Sequence, residues 1–457
     1  MTMERPGHLL VTLRPGEALG HLPAHVDCVV GAARPASRLD GGGSLDGALG
    51  DAGGFRAIGV YHARDSLGRV GEQNARFNAR EERLGLSRTY AIQLGDPEAT
   101  ERVLERLCSS PKVESAVVET LATAPFGSVA LADPTPGEAW TPHERVNARE
   151  ARELEPGSVD VTVGVVDTGI SLGHPEFQRK LLAGYDTVRL GLGRVAATIR
   201  LVGDSVGMDF CPRDAVGHGS HVAGVIGAHG WRLPPGIAGR SLILPIRVLA
   251  GAVTGEGSPE PVGIGALPDI DAGVKVCCDL GAIVLNLSFG TPASSVAGGP
   301  APHEQVVRYA IELGCTLVAA TGNTGALEAF YPACLPDVIA VGSVDTAGRR
   351  SRFSTYGEHV ALCAPGERIV SSSRRGYRSG SGTSYAAPFV AGAAALLISR
   401  ARRKGRNLSG AQVRALLQSS ATPLGDGHSI ETGHGLLNAA AALRLLDRED
   451  PSEGGEG

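Results

Sequence analysis

The sequence predicts an α/β protein, a three-layer domain with a mostly parallel central sheet preceded by a small α+β unit. Three observations carry this. Past Val159, short runs that are apolar throughout alternate with longer helical stretches, the pattern of a parallel sheet covered on both faces. Ahead of that region, Arg88 to Ala124 reads strand, amphipathic helix, strand, which is a compact α+β pattern. With 457 residues, 42% of them hydrophobic, the chain is long enough for two or three domains and apolar enough for a sizeable core.

From the N-terminus, residues 1–54 read as a separate segment whose end, DGGGSLDGALGDAGG from Asp40 to Gly54, has the composition of a flexible linker. Residues 55–124 form the expected α+β unit. It contains RTYAIQL, a helix with Ala99, Val103, Leu104 and Leu107 on one face, and VESAVVE. Pro125, Gly127, Pro134, Pro136 and Gly137 then punctuate the chain as a connector does. Residues 125–446 hold the layered domain, through VTVGVVD, HVAGVIGAHG, LILPIRVL, Val262 to Leu280, AIVLNLSFG, VVRYAIELG, TLVAATGN, VIAVGSVD and a long helix beginning near Ser384. Residues 447–457, DREDPSEGGEG after Leu446, read as a frayed acidic tail.

Charge and cysteine content exclude several classes. Lys+Arg 43 against Asp+Glu 48 gives a net charge of −5, so no basic excess points to nucleic acid. The one dense cationic run, Arg400, Arg402, Arg403, Lys404 and Arg406, is broken by Gly405 and reads as a helix C-terminus. Eight cysteines in this length make no disulfide framework, and Cys277 and Cys278 are adjacent. The apolar stretches near the N-terminus and between Ala386 and Ile398 are too short for a signal core or a membrane span. Together these lead to the expectation of a cytoplasmic protein off membranes, with export by a route other than a signal peptide as the alternative.

In sheets of this class, reactive side chains sit where strands end. Asp167 closes VTVGVVD before the turn Thr168-Gly169, His218 lies in GHGSHVAG, and Ser384 opens the small-residue helix of SGSGTSYAAPFVAG. Each alone fits a bland role, as a turn cap, a helix-start histidine or an N-cap serine. Together they are the parts of a nucleophilic triad, since a serine hydroxyl needs an imidazole to take its proton and a carboxylate to orient that imidazole.

These blocks resemble the subtilisin-like serine proteases, the subtilases. VGVVDTGI resembles the family's Asp block, GHGSHVAG its His block and GTSYAAPFVAGAAALL its Ser block, in the order Asp, His, Ser. LNLSFG, AATGN, YPACLPDVIAVGSVD and FSTYGEHVALCAPG resemble the segments between, so the likeness spans about residues 140–442. The resemblance implies a subtilisin-like fold and hydrolysis of protein or peptide substrates through an acyl-enzyme. It makes Ser384 the nucleophile, His218 the general base and acid, Asp167 its orienting partner and Asn323 the oxyanion donor. Ser288, Phe289 and Gly290 become the edge that pairs with an extended peptide. Residues 88–124 resemble the latter half of the family's prodomains, small folds whose tail lies in the active site. That implies an N-terminal intramolecular inhibitor and chaperone, cut between Leu121 and Asp133, with a retained accessory domain as the alternative.

Two departures stand out. The interval from Asp167 to His218 is longer than in compact members and includes GYDTVRLGLGRVAATIRL, an insertion expected near the cleft. GAHGWRLPPGIAGRSL lacks the asparagine-bearing loop that holds calcium in many subtilases, and Glu176 stands where those have aspartate. No cofactor or metal is therefore expected, with calcium in doubt.

Other motifs compete weakly. GDSVG around Ser205 matches a hydrolase nucleophile elbow, but Pro212 interrupts the helix it would need. Gly191, Gly193 and Ala196 make a GxGxxA with no acidic residue closing the next strand. His218 with His221, and His303 with Glu304, lack the ligands that complete a zinc site. The alternative to an enzyme is a silent scaffold that holds peptides on Ser288 to Gly290; the presence of all three triad residues with Asn323 favours the enzyme.

Overall fold

The computed structural model describes residues 4–29, 33–66, 76–124, 128–131, 136–207, 209–254, 260–296 and 299–449. The near-alternating burial of ERPGHLLVTL makes β1 (Glu4–Leu13), with Leu9, Val11 and Leu13 inside. The short helices α1 (His25–Val29) and α2 (Ser44–Ala48) follow, then β2 (Phe55–Gly59), α3 (Ala79–Arg83), β3 (Thr89–Leu94), α4 (Thr100–Cys108) and β4 (Val113–Ala124). β1 lies between β3 and β4 and pairs antiparallel with both, while β2 flanks β3.

The expected separation of residues 1–54 from 55–124 is therefore corrected. A strand from the first segment is central to the sheet of the second, so residues 4–124 build one α+β unit. The glycine-rich stretch is ordered by its aspartates rather than left as a linker. Asp40 accepts from the Leu45 and Asp46 amides at 3.0 Å each, and Leu45, Leu49 and Ala52 are buried.

The rest of the chain runs through β5 (Ser128–Leu131), α5 (Pro136–Arg145), α6 (Ala148–Leu154), β6 (Thr162–Asp167), β7 (Tyr185–Asp186), β8 (Ile199–Val202) and α7 (His218–Gly227). It continues with β9 (Leu242–Arg247), β10 (Ala250–Thr254), β11 (Val262–Ala266), α8 (Leu267–Asp279), β12 (Val284–Leu287), β13 (Thr291–Pro292), α9 (Glu304–Glu312), β14 (Thr316–Ala320) and β15 (Phe330–Tyr331). Last come β16 (Ile339–Val344), β17 (Val360–Pro365), β18 (Ile369–Ser372), β19 (Tyr377–Gly380), α10 (Thr383–Arg403), α11 (Gly410–Ser419) and α12 (Ala439–Arg448).

Seven strands in the order β17-β16-β14-β12-β6-β9-β7 form the central sheet, all neighbours parallel. Alternating side chains divide its core. Val163 and Val165 pack with α7, α10 and α12 on one face, and Val166 and Leu287 with α8 and α9 on the other. The helix α10 is long and apolar enough to cross a membrane by length and composition, yet 94% of its apolar window is buried inside the protein. The cationic run closes it as expected, with Arg400 and Lys404 each 3.1 Å from Asp447. Those contacts hold Asp447 within α12, which moves the boundary expected after residue 446. Residues 450–457 of the expected tail lie outside the described residues.

The N-terminal unit and the layered domain share both a sheet and a core. β11 pairs antiparallel with β4, so a second seven-stranded sheet runs β2-β3-β1-β4-β11-β10-β8. Ile58, Val60, Tyr61, Leu84 and Leu86 join the core beneath α8 and α9. Buried charges bridge the same junction. Lys275 Nζ lies 2.7 Å from both Glu81 and Asp279, and His62 Nε2 lies 2.9 Å from Asp279. The long interval after Asp167 supplies β8 and the segment that docks on β1. There Arg5 donates to the Leu190 carbonyl at 2.9 Å and to Glu119 at 2.8 Å.

His25 is buried in this junction, with Nε2 2.9 Å from the Thr187 carbonyl. Burial first, then the neighbouring Arg189 cation, hold its pKa down at about 3 against an ordinary 6.5. The released or unfolded form therefore binds the extra proton. Docking is expected to be unaffected above pH 6.5 and to weaken below it, by up to about 1.4 kcal/mol per pH unit for one such histidine. Hydrogen exchange of the β1 and β2 amides at pH 7.5 and pH 5 measures this, and His25→Gln is expected to reduce the difference, with the remainder coming from His62, whose burial at the same junction also lowers its pKa.

Candidate active site

The carboxyl ends of β6, β12 and β14 face the N-termini of α7 and α10, which brings together the side chains singled out from sequence. Asp167 is the last residue of β6 and is fully buried. Its Oδ1 lies 2.7 Å from His218 Nδ1 and accepts from the Thr168 amide at 2.7 Å. His218 opens α7 after Gly217, whose φ of +111° favours glycine. Because Nδ1 faces a carboxylate, it carries the proton, and Nε2 is left as the basic nitrogen. The His218 ring lies 5.6 Å from the ring of Tyr385, the neighbour of Ser384.

Ser384 sits in the first turn of α10, where backbone N–H groups lack helical partners and the helix dipole presents its positive end. Its hydroxyl donates to the Ser288 carbonyl at 3.1 Å, and the Ser288 hydroxyl donates to the Ser384 carbonyl at 3.0 Å. Asn286 Nδ2 donates to that same Ser288 hydroxyl at 2.8 Å. Asn323 Oδ1 accepts from the Thr383 amide at 2.9 Å and its hydroxyl at 3.0 Å. An amide N–H can only donate, so this fixes the Asn323 side chain with Nδ2 as its remaining polar group. Asn323 and Ser384 line one small cavity with Gly290 and Phe289.

β4 runs into this site. Thr123 and Gly290 exchange backbone hydrogen bonds of 3.0 and 3.1 Å, while β11 pairs with the other edge of the same strand. β5 pairs antiparallel with β19, which leads into α10.

Sequence reasoning missed Asp214. This buried carboxylate accepts from the Thr168 hydroxyl at 2.9 Å, the Val216 and Ser220 amides at 2.9 Å each, and the Gly217 amide and Ser220 hydroxyl at 2.6 Å each. It thereby ties the turn before His218 to the turn after Asp167. Burial still pushes its pKa up. Its only signal was an aspartate shortly before GHGSH.

The competing motifs dissolve. Among the described residues Ser205 is followed by no helix until His218, the GxGxxA segment docks against Arg5, His221 Nε2 meets the Ile369 carbonyl at 3.0 Å, and His303 pairs with Asp271 at 2.5 Å.

Residues 158–435 match the subtilase family. This chain is a subtilase. It is similar to the thermophilic serine proteinase of Bacillus sp. (strain AK1), 34% identical over 331 residues that cover 69% of this chain and 70% of that protein. It is also similar to thermitase of Thermoactinomyces vulgaris, 33% identical over 305 residues, 66% of this chain and 94% of that one. Among solved structures, a protease from Pseudoalteromonas arctica aligns with a TM-score of 0.55 and 25% identity, covering 69% of this chain and 98% of that one. The subtilase is a subtilisin-like serine endopeptidase, and its substrates are proteins or peptides.

Calcium fits poorly at Glu176, the position where many subtilases carry a ligand. The buried carboxylate accepts from the amides of Gly230 at 2.9 Å, Trp231 at 3.1 Å, Arg232 at 2.8 Å and Leu233 at 3.3 Å, and from the Tyr377 hydroxyl at 3.2 Å. Calcium needs converging oxygens, whereas these N–H groups converge on an anion. Among the described residues, no group of three or more His, Cys, Asp and Glu is placed to hold a metal ion. Glu176→Gln should destabilise the subtilase by about 2–3 kcal/mol, because its amide NH₂ would confront amide donors; the midpoint of thermal unfolding reads this.

Proposed function

We propose that this subtilase cleaves peptide bonds with Ser384 as nucleophile, His218 as general base and then acid, and Asp167 as the group that orients and stabilises the imidazolium. The supporting observation is the 2.7 Å contact of Asp167 with His218 Nδ1, beside a serine at a helix N-terminus. His218 Nε2 takes the Ser384 proton as Oγ attacks the scissile carbonyl. The tetrahedral oxyanion is met by Asn323 Nδ2 and the Ser384 N–H, and collapse to the acyl-enzyme expels the amine, protonated by His218. Water then enters by the reverse sequence and frees the acid. Ser288 to Gly290 pair with the extended substrate as an added strand.

The N-terminal unit acts on this reading as an intramolecular inhibitor that the enzyme cuts itself. Support comes from β4, which occupies the strand position between Gly290 and β11. β4 ends at Ala124 and β5 begins at Ser128, which pairs with Gly380 shortly before Ser384, so on this reading the scissile bond falls between these residues.

Intact mass spectrometry is expected to show a cut between Ala124 and Ser128 in the unmodified protein and none in Ser384→Ala. Persistent cutting in that variant would overturn the assignment. Asn323→Ala should lower kcat by roughly 10²- to 10³-fold with little change in KM, the magnitude established for the corresponding donor in subtilisin. We infer too that the Glu176 loop stands without calcium, so a chelator should leave the unfolding midpoint unchanged; a fall would refute this.

A further inference from the structure

β5 runs antiparallel to β19, with Ser128 opposite Gly380 and Leu131 opposite Tyr377. A peptide strand in its place therefore travels away from Ser384 toward the turn that joins β18 to β19. That turn is Ser373-Arg374-Arg375-Gly376, closed by the Ser373 amide, which donates to the Gly376 carbonyl at 2.9 Å. Its backbone is pinned to the segment after β6. The Ser171 hydroxyl donates to the Arg374 carbonyl at 3.0 Å, and His174 Nε2 lies 3.0 Å from the Gly376 carbonyl. The turn is held while both arginine side chains are exposed, and among the described residues neither is paired with a carboxylate.

A second exposed group stands beside them. Glu176 accepts from the Tyr377 hydroxyl at 3.2 Å and from the amides of Trp231 at 3.1 Å and Arg232 at 2.8 Å, which brings those two residues to the end of β19. Trp231 is 69% exposed, the highest fraction among the large hydrophobic residues described, and Arg232 is exposed next to it. An indole left in water beside guanidinium groups offers a flat apolar surface within a cationic patch. Local carboxylates do not cancel that charge, since Glu176 is buried under amides and Glu260 is engaged by Arg378 at 3.0 Å. In a chain whose net charge is −5, the patch is a local feature and not a general attraction.

Resting on the protease reading above, we infer that the Arg374-Arg375 turn, with Trp231 and Arg232, is a docking surface for an acidic peptide segment of the substrate, downstream of the scissile bond and past the strand that pairs with β19. At about 3.3 Å per residue, two residues beyond the place of Leu131 carry such a strand about 6.6 Å further, within reach of an arginine side chain. The chain's own sequence carries an aspartate at that count, Asp133 in SVALADPTP. A carboxylate there meets planar cations suited to it.

The test follows the self-processed enzyme on internally quenched peptides of the sequence LATAPFGSVALADPTP, Leu121 to Pro136, with Asp, Asn or Lys at the place of Asp133, beside a shorter peptide that stops at the place of Leu131. At about 20 mM salt, kcat/KM should fall in the order Asp, Asn, Lys, with Asp ahead of Lys by roughly 3- to 10-fold, the range a few exposed charge contacts supply. At about 500 mM salt the spread should close, because screening shortens the reach of surface charges. Arg374→Glu combined with Arg375→Glu should invert the order at low salt and leave the shorter peptide within about twofold of its original rate, which shows the cleft intact. Should that variant fail to fold, Arg374→Gln with Arg375→Gln is expected to level the three long peptides. Trp231→Ala should slow the long peptides and spare the short one. Equal rates for Asp and Lys at low salt, a preference that salt does not touch, or an order unchanged in the arginine variants would overturn the inference. So would a failure to cut the long peptides by enzyme whose Ser384 takes a fluorophosphonate label. Failure of Ser384 to take that label would instead count against the catalytic reading, and the inference would fall with it.

Discussion

A carboxylate with no access to water has to find its hydrogen bonds inside the protein, and Asp167 imposes that demand at the end of the central strand β6. Its answer is a charge-assisted bond to His218 Nδ1 and another from the Thr168 amide. Holding the imidazole there requires the entry to α7 to be fixed, and a second buried carboxylate, Asp214, does this by collecting the hydroxyls and amides on both sides. Gly219 follows from the same crowding, because a Cβ there would run into the Gly169 carbonyl and the Asp167 side chain. The chemistry of the site and the tight backbone around it therefore share one electrostatic origin.

The second organising feature is a strand edge covered from within the chain. β4 pairs with Gly290 on one side and with β11 on the other, from within the same chain. Backbone pairing alone would make that contact generic. What makes it particular is the shared core under α8 and α9, where buried Glu81 of the N-terminal unit meets Lys275, itself paired with Asp279 on α8, so that separating the two parts would leave Glu81 without this ion pair. The segment between Asp167 and His218 enlarges the contact, since β8 extends the common sheet while Leu190 and Arg194 receive Arg5.

A third buried carboxylate organises the loop after α7. Glu176 gathers four successive amides and a tyrosine hydroxyl, so the loop from Gly230 to Leu233 is held by internal anion binding, with its hydrogen bonds strengthened by burial.

Much of the fold and of the site was legible along the chain, because the signals are local. Uniformly apolar strands and intervening helices record a sheet buried on both faces. Asp167, His218, Asn323 and Ser384 each sit in a short block whose glycines and small residues are needed by the backbone at that point. The chain order alone could not reveal that Glu4–Leu13 is a central strand of the N-terminal unit, since pairing across many residues depends on register and not on composition. Asp214 and Glu176 were equally hidden as hubs, because a carboxylate's partners are backbone amides that every residue possesses. Arg374 and Arg375 read in sequence as one more pair of charges near a glycine. Only the folded chain sets them past the end of β5 with Trp231 alongside, since which distant segments meet is a matter of strand register and of packing in three dimensions.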